Sequence, residues 1–524
     1  MNDDLTARVA GAREQSLGDI LRRTAARFPS KTAVLCGETR WTYAGLDVLC
    51  NRLGRGLVAR GVGKGDRVAV LSRNSHAFVA LRFALARIGA VLVPINFMLN
   101  AQETRFILAS SGAKLLGVGG DFVAVAREAA EGAAVEQIFW MPGEEGSEPA
   151  PGLIDFDALF DADASPLKVS VDARDLAQIV YTSGTESSPK GAMLTHEAVL
   201  WQYASCVIDG GMASDDLVLH ALPLYHCAQL DVFLGPAIYL GATNVIISKP
   251  AADLILSLIA RHKVTSFFAP PTIWISLLRS SAFDGTDLTS LRKGYYGASI
   301  MPVEVLLELQ RRLPDVRLWN FYGQTEIAPL ATVLGPEDQL RKAGSAGKPA
   351  LNVETRVVDA DMRDVAVGEV GEIVHRSPHL MSGYYNDPDK TRAAFRGGWF
   401  HSGDLATIDT EGYITVVDRV KDMIKTGGEN VASREVEETI YRLPAVSEVA
   451  VVGLPDPRWI EAVTAFIVVK AGQSLTEGEV TAHCHQAMAH YKAPKRVMFV
   501  DNLPRNPSGK LLKRELRQRF LTAD

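Results

Sequence analysis

Only five cysteines occur among 524 residues (Cys36, Cys50, Cys206, Cys227 and Cys484), and no Cys-x-x-Cys pair is among them. An odd, scattered set argues against a disulfide framework and points to a reducing, cytoplasmic setting. A basic excess is lacking too. With 55 Lys+Arg against 61 Asp+Glu the net charge is −6, so no global positive field favours nucleic acid. The start, Met1-Asn-Asp-Asp-Leu, is acidic and has neither the basic residues nor the apolar core of a secretory signal. No stretch reads as a membrane span. The best candidate, Val79 to Leu99, carries Arg82 and Arg87, which are costly in hydrocarbon and are expected on the polar side of a helix. Internal repeats and low-complexity tracts are absent as well.

What is present is a chain of 47% hydrophobic and 22% charged residues, enough for about three domain-sized units with their own cores. The first hundred residues alternate short β runs with amphipathic helices. Thr32 to Cys36 reads as a strand, and a helix capped by Thr42 buries Leu46, Cys50, Leu53 and Leu57 before stopping at Gly61. Arg67 to Leu71 is the next strand, and a second helix ends near Gly89. This alternation predicts an α/β fold with largely parallel sheets. It resumes with a strand through Ile179-Val180-Tyr181, a loop, and a helix from Thr195 towards Gly210. From Gly368 onward, short strands separated by glycine turns predict a small β subdomain. After Asp418 a compact α+β tail follows, with helices from Ser433 and Thr476. His483-Cys484-His485 falls on that second helix, where consecutive residues diverge, so a surface helix is expected rather than a metal site.

The segment with most chemistry is Tyr181-Thr-Ser-Gly-Thr-Glu-Ser-Ser-Pro-Lys190-Gly191. Hydroxyls and exposed N–H groups can hold phosphate oxygens, Gly184 permits close approach, and Lys190 neutralises charge. It is not a Walker loop, because no Gly precedes Lys190 and Gly191 follows it. Taken alone, an ordinary Ser/Thr/Gly turn explains it equally well. Gly54-Arg-Gly56-Leu-Val-Ala59 spells a dinucleotide fingerprint, but it lies inside the helix from Thr42 rather than at a strand-to-helix turn.

With its companions, the loop resembles the signature of the adenylate-forming superfamily: acyl-CoA synthetases, firefly-type luciferases and peptide-synthetase adenylation domains. It departs from their pattern at Glu186 and Ser187, where a second Thr and a second Gly would stand. Asn320-Phe-Tyr322-Gly323-Gln-Thr325-Glu326 resembles the second nucleotide motif, and Tyr296-Gly297-Ala298-Ser299 the turn along the purine. Trp399-Phe-His-Ser-Gly403-Asp404 resembles the ribose motif, and Asp418-Arg419-Val-Lys421 with Gly427-Gly428 the hinge. The family more often has Gly where Asp418 stands. Pro504-Arg-Asn-Pro507-Ser-Gly509-Lys510 resembles the loop of the adenylation lysine, and Leu222-Pro-Leu-Tyr225-His226-Cys227 the acyl-site motif.

The resemblance implies ATP, Mg²⁺ and coenzyme A as the reagents and a two-step reaction through an acyl-adenylate. Thr182, Ser183, Gly184, Thr185 and Lys190 would hold pyrophosphate, and Gly297, Ala298, Ser299, Tyr322 and Gly323 the base. Asp404 and Arg419 would hold ribose, and Glu326 would bind the metal. Thr325 and Lys510 would act at the α-phosphate, with His226 at the acyl carboxyl group. Lys421, Gly427 and Gly428 belong to the implied hinge region. The implied architecture is a large domain over 1–418 made of stacked α/β sheets plus a small β subdomain. A hinge at 419–421 joins it to a small mobile α+β domain over 422–524.

Tyr225-His226 replaces the Phe-Asp of amino-acid-activating relatives, which argues against a buried substrate ammonium. Overall texture is closest to bacterial fatty-acyl-CoA synthetases, so a fatty acid is the expected substrate, with other carboxylic acids or a carrier-protein acceptor as alternatives. An inactive nucleotide- or acyl-binding homologue is the non-enzyme alternative. Leu230, Val232, Phe233, Leu234 and Ile238 would line an acyl tunnel or form helix core. A homodimer is compatible with this reading; a nucleic-acid partner is not expected.

Overall fold

The computed structural model describes residues 9, 11–13, 15–144, 149–182, 189–299, 301–419, 422–426, 429–506 and 511–521. Two large sheets dominate the N-terminal part. The six-stranded sheet runs Gln137–Met141, Leu115–Gly119, Arg67–Leu71, Val91–Pro94, Leu176–Thr182, Lys190–Thr195; only its last strand is antiparallel. In the nine-stranded sheet, six central parallel strands run from Arg317–Gly323 to Thr32–Cys36, with antiparallel strands at both edges. Parallel strands need covering on both faces. Between the sheets lie the helices Leu17–Arg27, Tyr43–Ala59 and His76–Ile88, whose Leu17, Leu53 and Phe83 share one core with Val34 of one sheet and Val70 of the other. Gly54 and Gly56 sit within the helix Tyr43–Ala59, as expected for a fortuitous fingerprint.

The cap signals are realised locally. The hydroxyls of Thr42, Thr195 and Thr476 accept the N–H groups of Gly45, Ala198 and Glu479, each in the first turn of its helix. Gly89 closes the helix His76–Ile88 at φ 68°, in the left-handed region that glycine reaches without strain.

The expectation for the two arginines is corrected. Arg82 is buried and ion-paired to Asp231 at 2.7 Å, with Gln178 bonded to both. Arg87 is paired with Asp47 and bonded to Asn51. Neither faces solvent, because the helix is covered on all sides between two sheets; a charge held there requires a partner.

A four-stranded antiparallel sheet follows (Glu354–Val358, Gly371–Arg376, Phe400–Ile408, Ile414–Arg419), beginning some residues before Gly368. In the C-terminal part the long hairpin Val446–Asp456/Ile460–Val469 packs against the helices Ser433–Tyr441 and Glu477–Ala487. Cys484 is buried in that core and His483 bonds Thr439 O at 3.0 Å, so the His-Cys-His run divides between core and periphery. No helix among the described residues is long and apolar enough to cross a membrane.

Candidate active site

The strands Lys293–Gly297 and Arg317–Gly323 lie parallel and adjacent, with Tyr296 opposite Asn320 and Gly297 opposite Phe321. Their C-terminal ends bring two of the motifs together, as parallel sheets do at ligand sites. Backbones approach closely there. A Cβ on Gly297 would lie 2.5 Å from Phe321 O, and one on Gly323 would lie 1.7 Å from Pro329 O. Ala298 turns the chain at φ 64°, leaving Ala298 and Ser299 exposed.

From the same strand end, the Tyr322 hydroxyl donates to Asp404 Oδ2 at 2.6 Å. Arg419 Nε meets the other carboxylate oxygen, Oδ1, at 3.1 Å. Asp404 and Arg419 are cross-strand partners in the four-stranded sheet, and the Ser402 hydroxyl accepts the Asp404 N–H. Burial, then the Asp404 charge, pushes the Tyr322 phenol well above its ordinary range, so it remains a donor. Three predicted residues from three segments thus form one chain of contacts.

The strands Leu176–Thr182 and Lys190–Thr195 that flank the phosphate loop pair antiparallel, which corrects the expected strand-loop-helix order. Thr182 pairs with Lys190 and Tyr181 with Gly191, and the strand Lys190–Thr195 precedes the helix His196–Asp209. Ser183, Gly184, Thr185, Glu186 and Ser187 lie outside the described residues. Lys190 Nζ stands 5.5 Å from the centre of the Tyr384 ring.

Thr325 and Glu326 occupy a single 3-10 turn after the strand Arg317–Gly323. Buried Thr325 places Oγ1 3.3 Å from Cys227 Sγ, which brings the acyl-site motif onto the second nucleotide motif. Glu326 Oε1 accepts the Tyr384 hydroxyl at 2.9 Å, and Glu326 O accepts the Met381 N–H at 2.8 Å. His226 is half-buried; its Nδ1 accepts the Ala228 N–H at 3.1 Å, a pattern that assigns the ring proton to Nε2. Burial pushes the Cys227 thiol up to about 12, so it is no nucleophile at neutral pH.

The apolar run after His226 is core. Leu230, Val232, Phe233, Leu234 and Ile238 are all buried. The Phe233 ring stacks on Phe268 at 4.2 Å and on Phe321 at 5.9 Å, with the Tyr295 edge at 5.1 Å. A cavity beside it is bordered by Phe233, Ala237, Val218 and Ser266.

Lys421, Gly427, Gly428 and Lys510 lie outside the described residues. Two residues of this neighbourhood escaped sequence reasoning. Tyr384, in a turn-rich loop, carries no periodic signal. Asp418 was noted only as a departure, yet its Oδ2 accepts both the N–H and the hydroxyl of Ser433 at 2.7 Å.

Residues 21–385 match the family described as AMP-binding enzyme, and residues 435–510 match AMP-binding enzyme C-terminal domain. A feruloyl-CoA synthase of Amycolatopsis sp is 38% identical over 97% of this chain and 100% of its own length. The long-chain-fatty-acid–CoA ligase FadD13 of Mycobacterium tuberculosis is 36% identical over 97% of this chain and 99% of its own. Among solved structures, the anthranilate CoA ligase AuaEII in complex with anthranoyl-AMP superposes with a TM-score of 0.89 at 29% identity, covering 97% of each chain. The sequence motifs, the site they build and these full-length likenesses agree: this chain belongs to the AMP-binding enzyme family and is an AMP-forming acid–thiol ligase.

Proposed function

We propose that the protein activates a compact aromatic carboxylic acid and transfers it to coenzyme A. The observation that carries the choice of acid is the Phe233–Phe268 stack, which packs the apolar run after His226 as core instead of leaving it open to a long acyl chain. The names of two relatives, a feruloyl-CoA synthase and an anthranilate CoA ligase, support it; FadD13 represents the fatty-acid alternative implied by sequence texture.

In this reading the chain divides at Asp418. The residues before it bind ATP and acid, 419–421 form a hinge, and 422–524 carry Lys510. Asp404 accepts from the ribose hydroxyls while Arg419 holds its carboxylate in place. Tyr322, with Gly297, Ala298, Ser299 and Gly323, borders the base, and the 182–190 hairpin holds the departing pyrophosphate. A substrate carboxylate oxygen forms a bond to the α-phosphorus, and the bond to pyrophosphate breaks. Thr325 and Lys510 stabilise the charge at that phosphorus. The thiol of coenzyme A then adds to the acyl carbonyl, loses its proton, and expels AMP, with His226 orienting the acyl group.

Glu326 fits a hard cation, since a carboxylate oxygen beside phosphate oxygens is the donor set Mg²⁺ prefers. Mg²⁺ bound there would neutralise phosphate charge.

The test is pyrophosphate release across cinnamic, benzoic and arylacetic acids and straight-chain acids up to sixteen carbons, with and without coenzyme A. The expected result is turnover of an aromatic acid with acyl-CoA as product. Preference for the longest chains would overturn the acid class, and acyl-adenylate accumulation with no thioester would overturn the acceptor.

A further inference from the structure

Tyr384 joins three segments that the motifs treat separately. Its hydroxyl donates to Glu326 Oε1 at 2.9 Å, and its ring lies 5.5 Å from Lys190 Nζ. Its backbone bridges Ala192 in the hairpin, and the neighbouring Tyr385 N–H donates to Gly191 O at 2.8 Å. Met381 N–H donates to Glu326 O at 2.8 Å, and Met193 N–H to Gly383 O at 3.0 Å. One stretch, 381–385, is therefore stitched both to the turn holding Glu326 and to the strand beginning at Lys190. Tyr384 itself is only 9% exposed, and its N–H is bonded to Thr391 Oγ1 at 2.9 Å, so the ring has a defined place.

A carboxylate that accepts a hydrogen bond on one oxygen is fixed about its terminal torsion, and its second oxygen points in one direction. A carboxylate without such a partner samples many directions and loses more freedom when it binds a cation. Partners of this kind on metal-binding side chains typically contribute about 10–100-fold to metal affinity. The cation of Lys190 near the electron-rich ring face is likewise held beside the start of the phosphate hairpin.

We propose that Tyr384 is a positioning residue that sets the Glu326 carboxylate for a divalent cation carried by ATP and keeps it in register with Lys190. This rests on the assignment of Glu326 to the metal made above. Tyr384 touches neither reacting atom; it acts through Glu326.

Calorimetric titration of the full-length protein with ATP, once with Mg²⁺ and once with EDTA, reads the gain in affinity due to the metal. Glu326→Gln is expected to abolish that gain. Tyr384→Phe, which removes one oxygen and keeps the ring, is expected to reduce it about tenfold while leaving metal-free ATP affinity unchanged. In the double variant the Phe substitution should add nothing to the Gln substitution, as coupling through one carboxylate requires. Tyr384→Met is the second phenol-free variant if Tyr384→Phe fails to fold; it should show the same reduction in the metal gain and, lacking the ring beside Lys190, weaker metal-free ATP binding as well. A full metal gain in the folded phenol-free protein overturns the positioning role, as does an equal loss in the Glu326→Gln background. A full gain in Glu326→Gln alone overturns instead the metal assignment on which the role rests.

Discussion

Asp404 receives two donors, one per oxygen: the Tyr322 phenol at 2.6 Å and Arg419 at 3.1 Å. Substituting Asp404→Asn keeps the shape but replaces one acceptor oxygen with an N–H group facing a donor. Hydrogen bonds to charged groups are worth about 1.5–3 kcal/mol, so the KM for ATP should rise roughly 10–100-fold. Steady-state kinetics at saturating acid checks this; an unchanged KM would remove Asp404 from the nucleotide site. Phe233 offers a second test at the same scale. Phe233→Ala should cost about 3–5 kcal/mol of stability, by the cavity it leaves between Phe268 and Phe321. The opened volume should let straight-chain acids of eight or more carbons compete with the aromatic acid in pyrophosphate release. Lost stability with an unaltered acid profile would place the stack away from the acyl path.

Among elements, the helix Ser433–Tyr441 shows how local rules are met from a distance. Its N-cap position is Ala432, which has no side chain to accept a first-turn N–H. The acceptor comes instead from the strand Ile414–Arg419, where Asp418 Oδ2 takes both the N–H and the hydroxyl of Ser433. Carboxylates are favourable at helix N-termini on both hydrogen-bonding and dipole grounds. Lys513 Nζ donates to the same Ser433 hydroxyl at 2.5 Å, and Arg434 Nη2 donates to Gly344 O at 2.9 Å. Asp418→Ala should therefore weaken the helix start by about 1–2 kcal/mol. Faster amide hydrogen exchange at residues 433–436, with exchange in the two large sheets unchanged, is the expected readout. Uniform protection would mean that Asp418 is not the cap.

For the whole molecule, five buried or half-buried histidines make stability depend on pH below neutrality. Burial pushes His76, His196, His220 and His379 down to about 4 and His375 to about 3, with Arg82 lowering His196 further. In the folded state these imidazoles stay neutral, whereas the unfolded chain takes up protons below its ordinary value near 6.5. Protons bound by the unfolded state exceed those bound by the folded state between pH 6.5 and 4, so stability falls as pH falls through that window. Each such imidazole costs about 1.4 kcal/mol at pH 5.5. The thermal midpoint should drop markedly from pH 7.5 to 5.5, and a flat profile would contradict neutral burial.

The amino-acid order by itself determined the features that depend on a few neighbouring residues. Thr42, Thr195 and Thr476 cap helices because a hydroxyl reaches N–H groups within its own turn. The α/β alternation followed from local periodicity, and the phosphate reading came from sequence alone because the hydroxyl, glycine and lysine donors that suit a phosphate stand close together in the chain. The strand Lys190–Thr195 was missed, since its partner Leu176–Thr182 lies across a loop and pairing is not a local property. Only the tertiary structure decided which distant side chains meet: Tyr322 with Asp404, Glu326 with Tyr384, Cys227 with Thr325. It also decided that Arg82 is buried against Asp231, a choice set by the layers covering its helix and not by the helix's own pattern. The run from Leu230 to Ile238 has the same apolar spacing whether it walls a tunnel or packs a core. The aromatic rings of Phe268, Tyr295 and Phe321, brought in by other strands, fill that space.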